Sequence, residues 1–261
     1  GAYVNFKDKI IQDLFLHSGL RFTSSNLKAD LSQNNDYFDF SFGNVSLKNS
    51  ALIGGVGLSW LRNNNNLWKL NINTAFRSPN IDDLAKVFDS APGNVLVPNP
   101  ELEPERSLGF ELGSYFKTNN NIELDFSSYL TYLYNGMVRG DFVLENGLTE
   151  IIYDGSLSQI QALQNSSRSL IYGLEFGMKW PLSQNLIFKT QHNIIAGYEL
   201  NELPFSLPVR HIPPNYGNFH VVFKKGRLNI DAFVNYNSEI PFKDLAESER
   251  AKAYLYAIDK N

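Results

Sequence analysis

Long stretches of this chain alternate with a period of two, and that rhythm limits the fold more than any other feature. Over 108–116 the even positions are Leu108, Phe110, Leu112, Ser114 and Phe116, set against Gly109, Glu111, Gly113 and Tyr115. Over 122–134 the even set runs from Ile122 and Leu124 through Phe126 and Leu130 to Tyr132 and Tyr134, and its partners include Glu123, Asp125 and Thr131. Over 170–180 it runs Leu170, Tyr172, Leu174, Phe176, Met178, Trp180, opposed by Gly173, Glu175, Gly177 and Lys179. A strand turns successive side chains to opposite faces, so these segments are strands with one apolar and one polar face. The same rhythm predicts about ten strands, near 2–9, 13–22, 51–61, 67–76, 107–117, 122–134, 169–180, 186–199, 216–224 and 227–237.

Connections alternate in length. Short ones lie near 10–13 and at NNNN (63–66), TNNN (118–121), LSQN (182–185) and KKG (224–226), and long ones span roughly 23–50, 77–106, 135–168, 200–215 and 238–261. In an up-and-down meander this places every short turn on one rim and every long loop on the other, the asymmetry of outer-membrane barrels. Trp60 and Trp68 flank NNNN, Phe116 precedes TNNN and Trp180 precedes LSQN, all on apolar faces, and Phe223 lies just before KKG. Rings gathered at one strand end form half of an interfacial girdle. The asparagines then make a hydrated turn, since Asn tolerates left-handed backbone and bonds locally. About ten residues at ~3.3 Å each, tilted by ~40°, cover roughly 25 Å, the height of the apolar band of such a barrel.

Composition agrees. The apolar fraction of 43% suits an ordered chain, and the formal charge of −4 with no basic stripe argues against nucleic acid. Cysteine is absent, which excludes disulfides and thiolate zinc sites, and no two of the four histidines have helical metal spacing. No run approaches the ~18 apolar residues of a membrane helix, which is silent about membrane strands. No signal peptide is visible in GAYVNFKDKI. Alternation alone fits a second architecture, the soluble β-sandwich of a carbohydrate-binding module or secreted glycan hydrolase.

The segment FRSPNIDDLAKVFDSAPGNVLVPNPELEPERSLGFELG, from Phe76 to Gly113, closely resembles the TonB-dependent outer-membrane receptor family. The residues that carry the resemblance are Phe76, Arg77, Pro79 and Asn80, then Asn99, Pro100, Leu102, Pro104 and Glu105, then Glu111 and Gly113. LIYGLEFGMKW (170–180) and LPVRHIPPNYGN (207–218) fit the same family. The resemblance implies an all-β, antiparallel up-and-down transmembrane β-barrel, here about ten strands of a 22-strand barrel that encloses a separate plug domain. It also implies a bacterial outer-membrane location. The partners it implies are the lipid bilayer, the plug of the same parent chain, the TonB–ExbB–ExbD complex and an extracellular small-molecule ligand such as an iron–siderophore. With neither plug nor closing strands recognised, residues 1–261 read as a partial barrel domain, an internal piece; a complete ten-strand barrel is the alternative. A partial barrel would leave unpaired edges near 2–9 and 227–237, prone to self-association.

Glu111 and Glu175 lie on the polar faces of their strands. The resemblance matches them to the two barrel glutamates that pair with plug arginines; hydrated wall carboxylates are the simpler reading. Arg77 and Glu105 bracket the first long loop, either fixing it through Asp82 or Asp83 or touching ligand. The prolines Pro79, Pro98, Pro100 and Pro104 stiffen that loop. Tyr37, Phe38, Phe40 and Phe42 either grip a ligand at the mouth or continue a strand above the membrane. Phe88, Tyr153 and His211 are weaker candidates of that kind, and His17 and His192 read as wall positions. No catalytic motif and no cofactor motif occurs.

Overall fold

The computed structural model describes residues 1–30, 32, 44–91, 93–200 and 207–250. One antiparallel sheet runs through β1 (Ala2–Ile11), β2 (Leu14–Asp30), β3 (Asn44–Asn63), β4 (Asn66–Arg77), β7 (Glu105–Lys117), β8 (Glu123–Asp141), β10 (Ser156–Pro181), β11 (Leu186–Glu199), β13 (Tyr216–Lys225) and β14 (Leu228–Asn237), in that spatial order. Short pieces decorate one end of it: helix α1 (Ile81–Ala85) and strands β5 (Phe88–Ala91), β6 (Asn94–Val97), β9 (Glu150–Tyr153) and β12 (Leu207–Pro208). A single turn of 3₁₀-helix, Phe242–Asp244, and helix α2 (Glu247–Arg250) follow β14. The sheet is open: among the described residues β1 pairs only with β2 and β14 only with β13. All five short turns share one rim, as the meander requires.

Register places the even positions of β7, β8, β10 and β11 on one face, with Leu112 opposite Ser128, Ser128 opposite Leu174, and Leu174 opposite Ile194. Among the described residues no second layer covers this face. Leu112 is 44%, Leu174 46% and Ile194 54% exposed. A soluble sandwich would lock the same side chains into a core between two sheets. The alternation here is instead the signature of a sheet that meets hydrocarbon on its even face. The two clusters of buried apolar residues lie off this face, among the long connections.

The rings sit where the apolar band ends. Trp60 is directly opposite Trp68, Trp68 meets Phe116 edge-on at 5.4 Å, and Trp180 is opposite Phe188. A second, upper set is present: Tyr132 stacks with Tyr134 at 6.0 Å and Tyr172 with Tyr198 at 6.3 Å. From Trp180 to Tyr172 the strand rises roughly 27 Å, about 20 Å along the membrane normal at ~40° tilt. The NNNN turn uses no left-handed residue. Asn63 instead accepts the Asn65 N–H at 2.9 Å, whereas in TNNN Asn121 does adopt φ 59°.

Four strands run well beyond their expected ends: β2 to Asp30, β3 from Asn44, β8 to Asp141 and β10 from Ser156. In the β2–β3 hairpin the cause is a change of phase. Above the band the apolar residues are odd, with Leu27 opposite Leu47 and Ala29 opposite Val45, so they point inward. The outer face there meets water, and the pattern that marks a membrane strand stops although the strand continues.

One polar network faces the lipid. Thr190 donates its hydroxyl proton to the Asn218 carbonyl at 2.7 Å, so its oxygen accepts the Nε2–H of His192 at 2.6 Å. The other ring nitrogen, Nδ1, is then an acceptor, and the Tyr236 hydroxyl donates to it at 2.7 Å. His192 and Tyr236 sit on either side of Gly217 and meet above it. A Cβ on Gly217 would lie 2.6 Å from the Gln191 carbonyl and from His192 Nδ1. Gly217→Ala is therefore expected to destabilise the β11–β13–β14 corner by about 1–3 kcal/mol, read as a lowered midpoint of guanidinium unfolding in detergent. An unchanged midpoint would show that the bridge carries no strand pairing.

Candidate functional site

The odd face of the sheet is the inner wall. Asn71, Glu111, Tyr129 and Gly173 form one row across β4, β7, β8 and β10, and Ser127, Glu175 and Asn193 lie in the next. Glu111 and Glu175 thus share a wall, separated by β8 and the Tyr129 ring. Glu175 accepts from Asn193 Nδ2 at 3.2 Å, and Asn193 also donates to the Tyr216 hydroxyl at 3.1 Å. Neither glutamate has an ion-pair partner among the described residues. Nearer the short-turn rim the wall does neutralise itself, through Lys179 and Glu123 at 3.0 Å.

At the opposite end the connection from β4 to β7 folds into the mouth. Arg77 holds Asp83 at 2.8 Å and Glu105 at 2.9 Å, tying the two ends of the connection together. Burial alone would lower the Arg77 pKa, but the hydrogen bond to Glu105 and the charges of Asp83 and Glu105 raise it. Asn80 caps α1 by accepting the Asp83 N–H while Asp83 accepts the Asn80 N–H, a reciprocal cap. Asp82 pairs with Lys86 at 3.1 Å. Arg77 is thus paired locally with both Asp83 and Glu105.

The second half of the segment is an inward anchor. Asn99 is buried, donating to the Leu163 carbonyl at 2.7 Å and accepting the Glu101 N–H at 3.0 Å. Leu102, 2% exposed, packs with Leu84, Ala29 and Val45. Glu105 also accepts the Met137 N–H at 2.8 Å. β6 pairs in parallel with Gln159–Ala162 of β10, so the connection spans β7 and β8 to reach β10. The prolines serve this path, and Pro98 is fully buried in it.

Tyr37, Phe38, Phe40 and Phe42 lie outside the described residues. The weaker candidates make local contacts. The Phe88 ring lies under the Arg139 guanidinium at 5.2 Å, and Tyr153 packs on the cluster around Ile160. Burial and the Arg210 charge lower the Arg139 pKa. His211 adopts φ 63°, and its N–H donates to Glu249 at 3.0 Å. His17 lines the inner wall, whereas His192 faces lipid.

Asn165 went unrecognised from sequence. It accepts the Glu103 N–H at 2.8 Å and donates to the carbonyls of Glu103 and Asn135, at 2.8 and 2.9 Å. Its neighbours NSSR read only as a loop, and nothing local marks a side chain that serves a segment sixty residues away. The upper tyrosines were legible in principle, since Tyr132, Tyr134, Tyr172 and Tyr198 all hold even positions.

The sequence matches the TonB dependent receptor-like, beta-barrel family over residues 1–259. No curated protein matches. Among solved structures the chain is similar to the copper transporter OprC, at 12% identity and a TM-score of 0.70, over 94% of this chain and 35% of that one. It is also similar to a ferric enterobactin receptor (PfeA) mutant from Pseudomonas aeruginosa, at 15% identity and a TM-score of 0.63, over 91% and 32%. The siderophore receptor PirA from Acinetobacter baumannii gives 16% identity and a TM-score of 0.59, over 91% and 33%. At these identities the likeness shows the fold, and the chain spans about a third of those proteins. Sheet order, lipid face, ring positions and the match over nearly its whole length agree: this chain is β-barrel of the TonB-dependent receptor family, a family of outer-membrane transport receptors and not of enzymes.

Proposed function

We propose that residues 1–261 are one part of the barrel of a receptor that captures an extracellular ligand and imports it with energy delivered by the TonB–ExbB–ExbD complex. The whole barrel has 22 strands, a bilayer around it and a plug domain of the same parent chain within it. The ligand is a small chelate such as an iron–siderophore. Two of the similar structures are receptors for a siderophore or ferric enterobactin and one is a copper transporter, which supports that class.

The observation that carries this reading is the pair Glu111 and Glu175, two inward carboxylates without a cation among the described residues. A carboxylate on a wall shielded from bulk water gains most from a guanidinium that brings its own donors. Plug arginines are that partner. The test is Glu111→Gln with Glu175→Gln in the whole receptor. Protease should cut the plug at least about tenfold faster, because each lost pair leaves a buried guanidinium uncompensated, and chelate uptake should fall with it. A plug equally protected in the double variant would overturn the docking role.

A further inference from the structure

We propose that the inner wall of β1–β4 is a docking face for an acidic surface of the plug, so that opposite charges on two parts of one wall fix the plug's rotation. The proposal rests on the reading above that a plug occupies the lumen. Every inward position of these four strands is odd, and no carboxylate occupies one. The basic residues there are Lys7, Lys9, His17, Arg21 and Lys69, with Arg77 already paired at the mouth. None of the five makes an ion pair among the described residues. The acidic side chains of this height lie further round, on β7, β8 and β10: Glu111, Glu123, Asp125 and Glu175, with Lys117 and Lys179 among them near the short-turn rim and Lys179 paired to Glu123.

The basic side chains are grouped and reachable. Lys7 is opposite His17, His17 opposite Gly57, Gly57 opposite Asn71, and Asn71 opposite Glu111. Lys7, His17, Asn5, Asn71, Asn73 and Glu111 line one groove of about 540 Å³. Asn71 lies flat over Gly57, and a Cβ on Gly55 would sit 3.3 Å from that of Asn73. The floor is therefore low, and the cationic tips are what a body inside the lumen meets first. A concave wall of one sign, backed by hydrocarbon, focuses its field inward. Complementary charge across an interface sets register and excludes wrong orientations, and a wall that carries only basic charge on β1–β4 and unpaired carboxylates at Glu111 and Glu175 beyond them selects one rotation.

The test is carbodiimide coupling of the intact receptor in outer-membrane vesicles, which joins carboxylates to lysine amines in contact, followed by mass spectrometry. Plug carboxylates joined to Lys7, Lys9 or Lys69 are expected. Plug carboxylates joined only to Lys117, Lys179 or Lys189, or to no lysine while the plug stays protease-protected, would overturn the proposal and leave the docking at Glu111 and Glu175 standing. Lys7→Glu with Lys69→Glu should speed plug cleavage by about tenfold or more, and the matching glutamine pair by less. If the reversal leaves the plug protected but abolishes uptake of an anionic chelate, the wall serves the ligand and the proposal fails. A lumen without any protected domain overturns this proposal and the reading it rests on together.

Discussion

Leu174→Arg is expected to destabilise the whole receptor by about 1–3 kcal/mol when it is refolded into lipid vesicles, the cost of a cation between the midplane of the apolar band and its upper rings. Leu174 is 46% exposed. On a water-facing surface a substitution at such a site is nearly neutral, within about 0.5 kcal/mol. The size of the effect therefore reports the solvent around the even face. Gln191→Arg is the matched control, since Gln191 points inward opposite Gly177 and the wall there is polar. It should stay within about 0.5 kcal/mol. Equal effects at the two positions, measured as unfolding midpoints in the same vesicles, would refute a lipid-facing even side.

Leu102→Ala should act at the mouth alone. Leu102 is 2% exposed and sits between the β2–β3 hairpin and β8–β10, touching Leu84, Ala29 and Val45. Truncating a buried leucine costs about 2–5 kcal/mol when the cavity cannot collapse. Here the loss falls on a small cluster held by one anchored connection, so the connection should open locally while the strands below keep their pairing. Protease nicking within 78–104 and faster amide exchange at Glu101 and Glu103 are the expected readouts, with little change in barrel melting. A lowered melting point without nicking would show that mouth and barrel unfold as one unit.

The membrane part of the fold was legible because lipid on one side and a polar lumen on the other impose the same alternation over 108–116, 122–134 and 170–180. The register of β7, β8 and β10 follows that alternation strand by strand. Above the band the environment changes. Leu27, Ala29, Val45 and Leu47 are apolar at odd positions, the strand continues out of phase, and a reading keyed to one phase ends it too early. The 78–104 connection was legible as a motif through the family resemblance, but its anchorage was not. Asn99 bonds to Leu163 and Asn165 to Glu103, and contacts so distant in sequence leave no local trace. Arg77 with Asp83 was foreseeable because cation and carboxylate are six residues apart across a helix cap.

The phase change in β2 and β3 also divides the chain's labour. Below it, each outward side chain answers to acyl chains, and an altered residue risks the insertion of the whole shell. Above it, a separate small core of Leu84, Leu102 and their neighbours supports the rim in water. The rim can thus be remodelled to suit a different cargo while the hull that seats it in the membrane stays as it is.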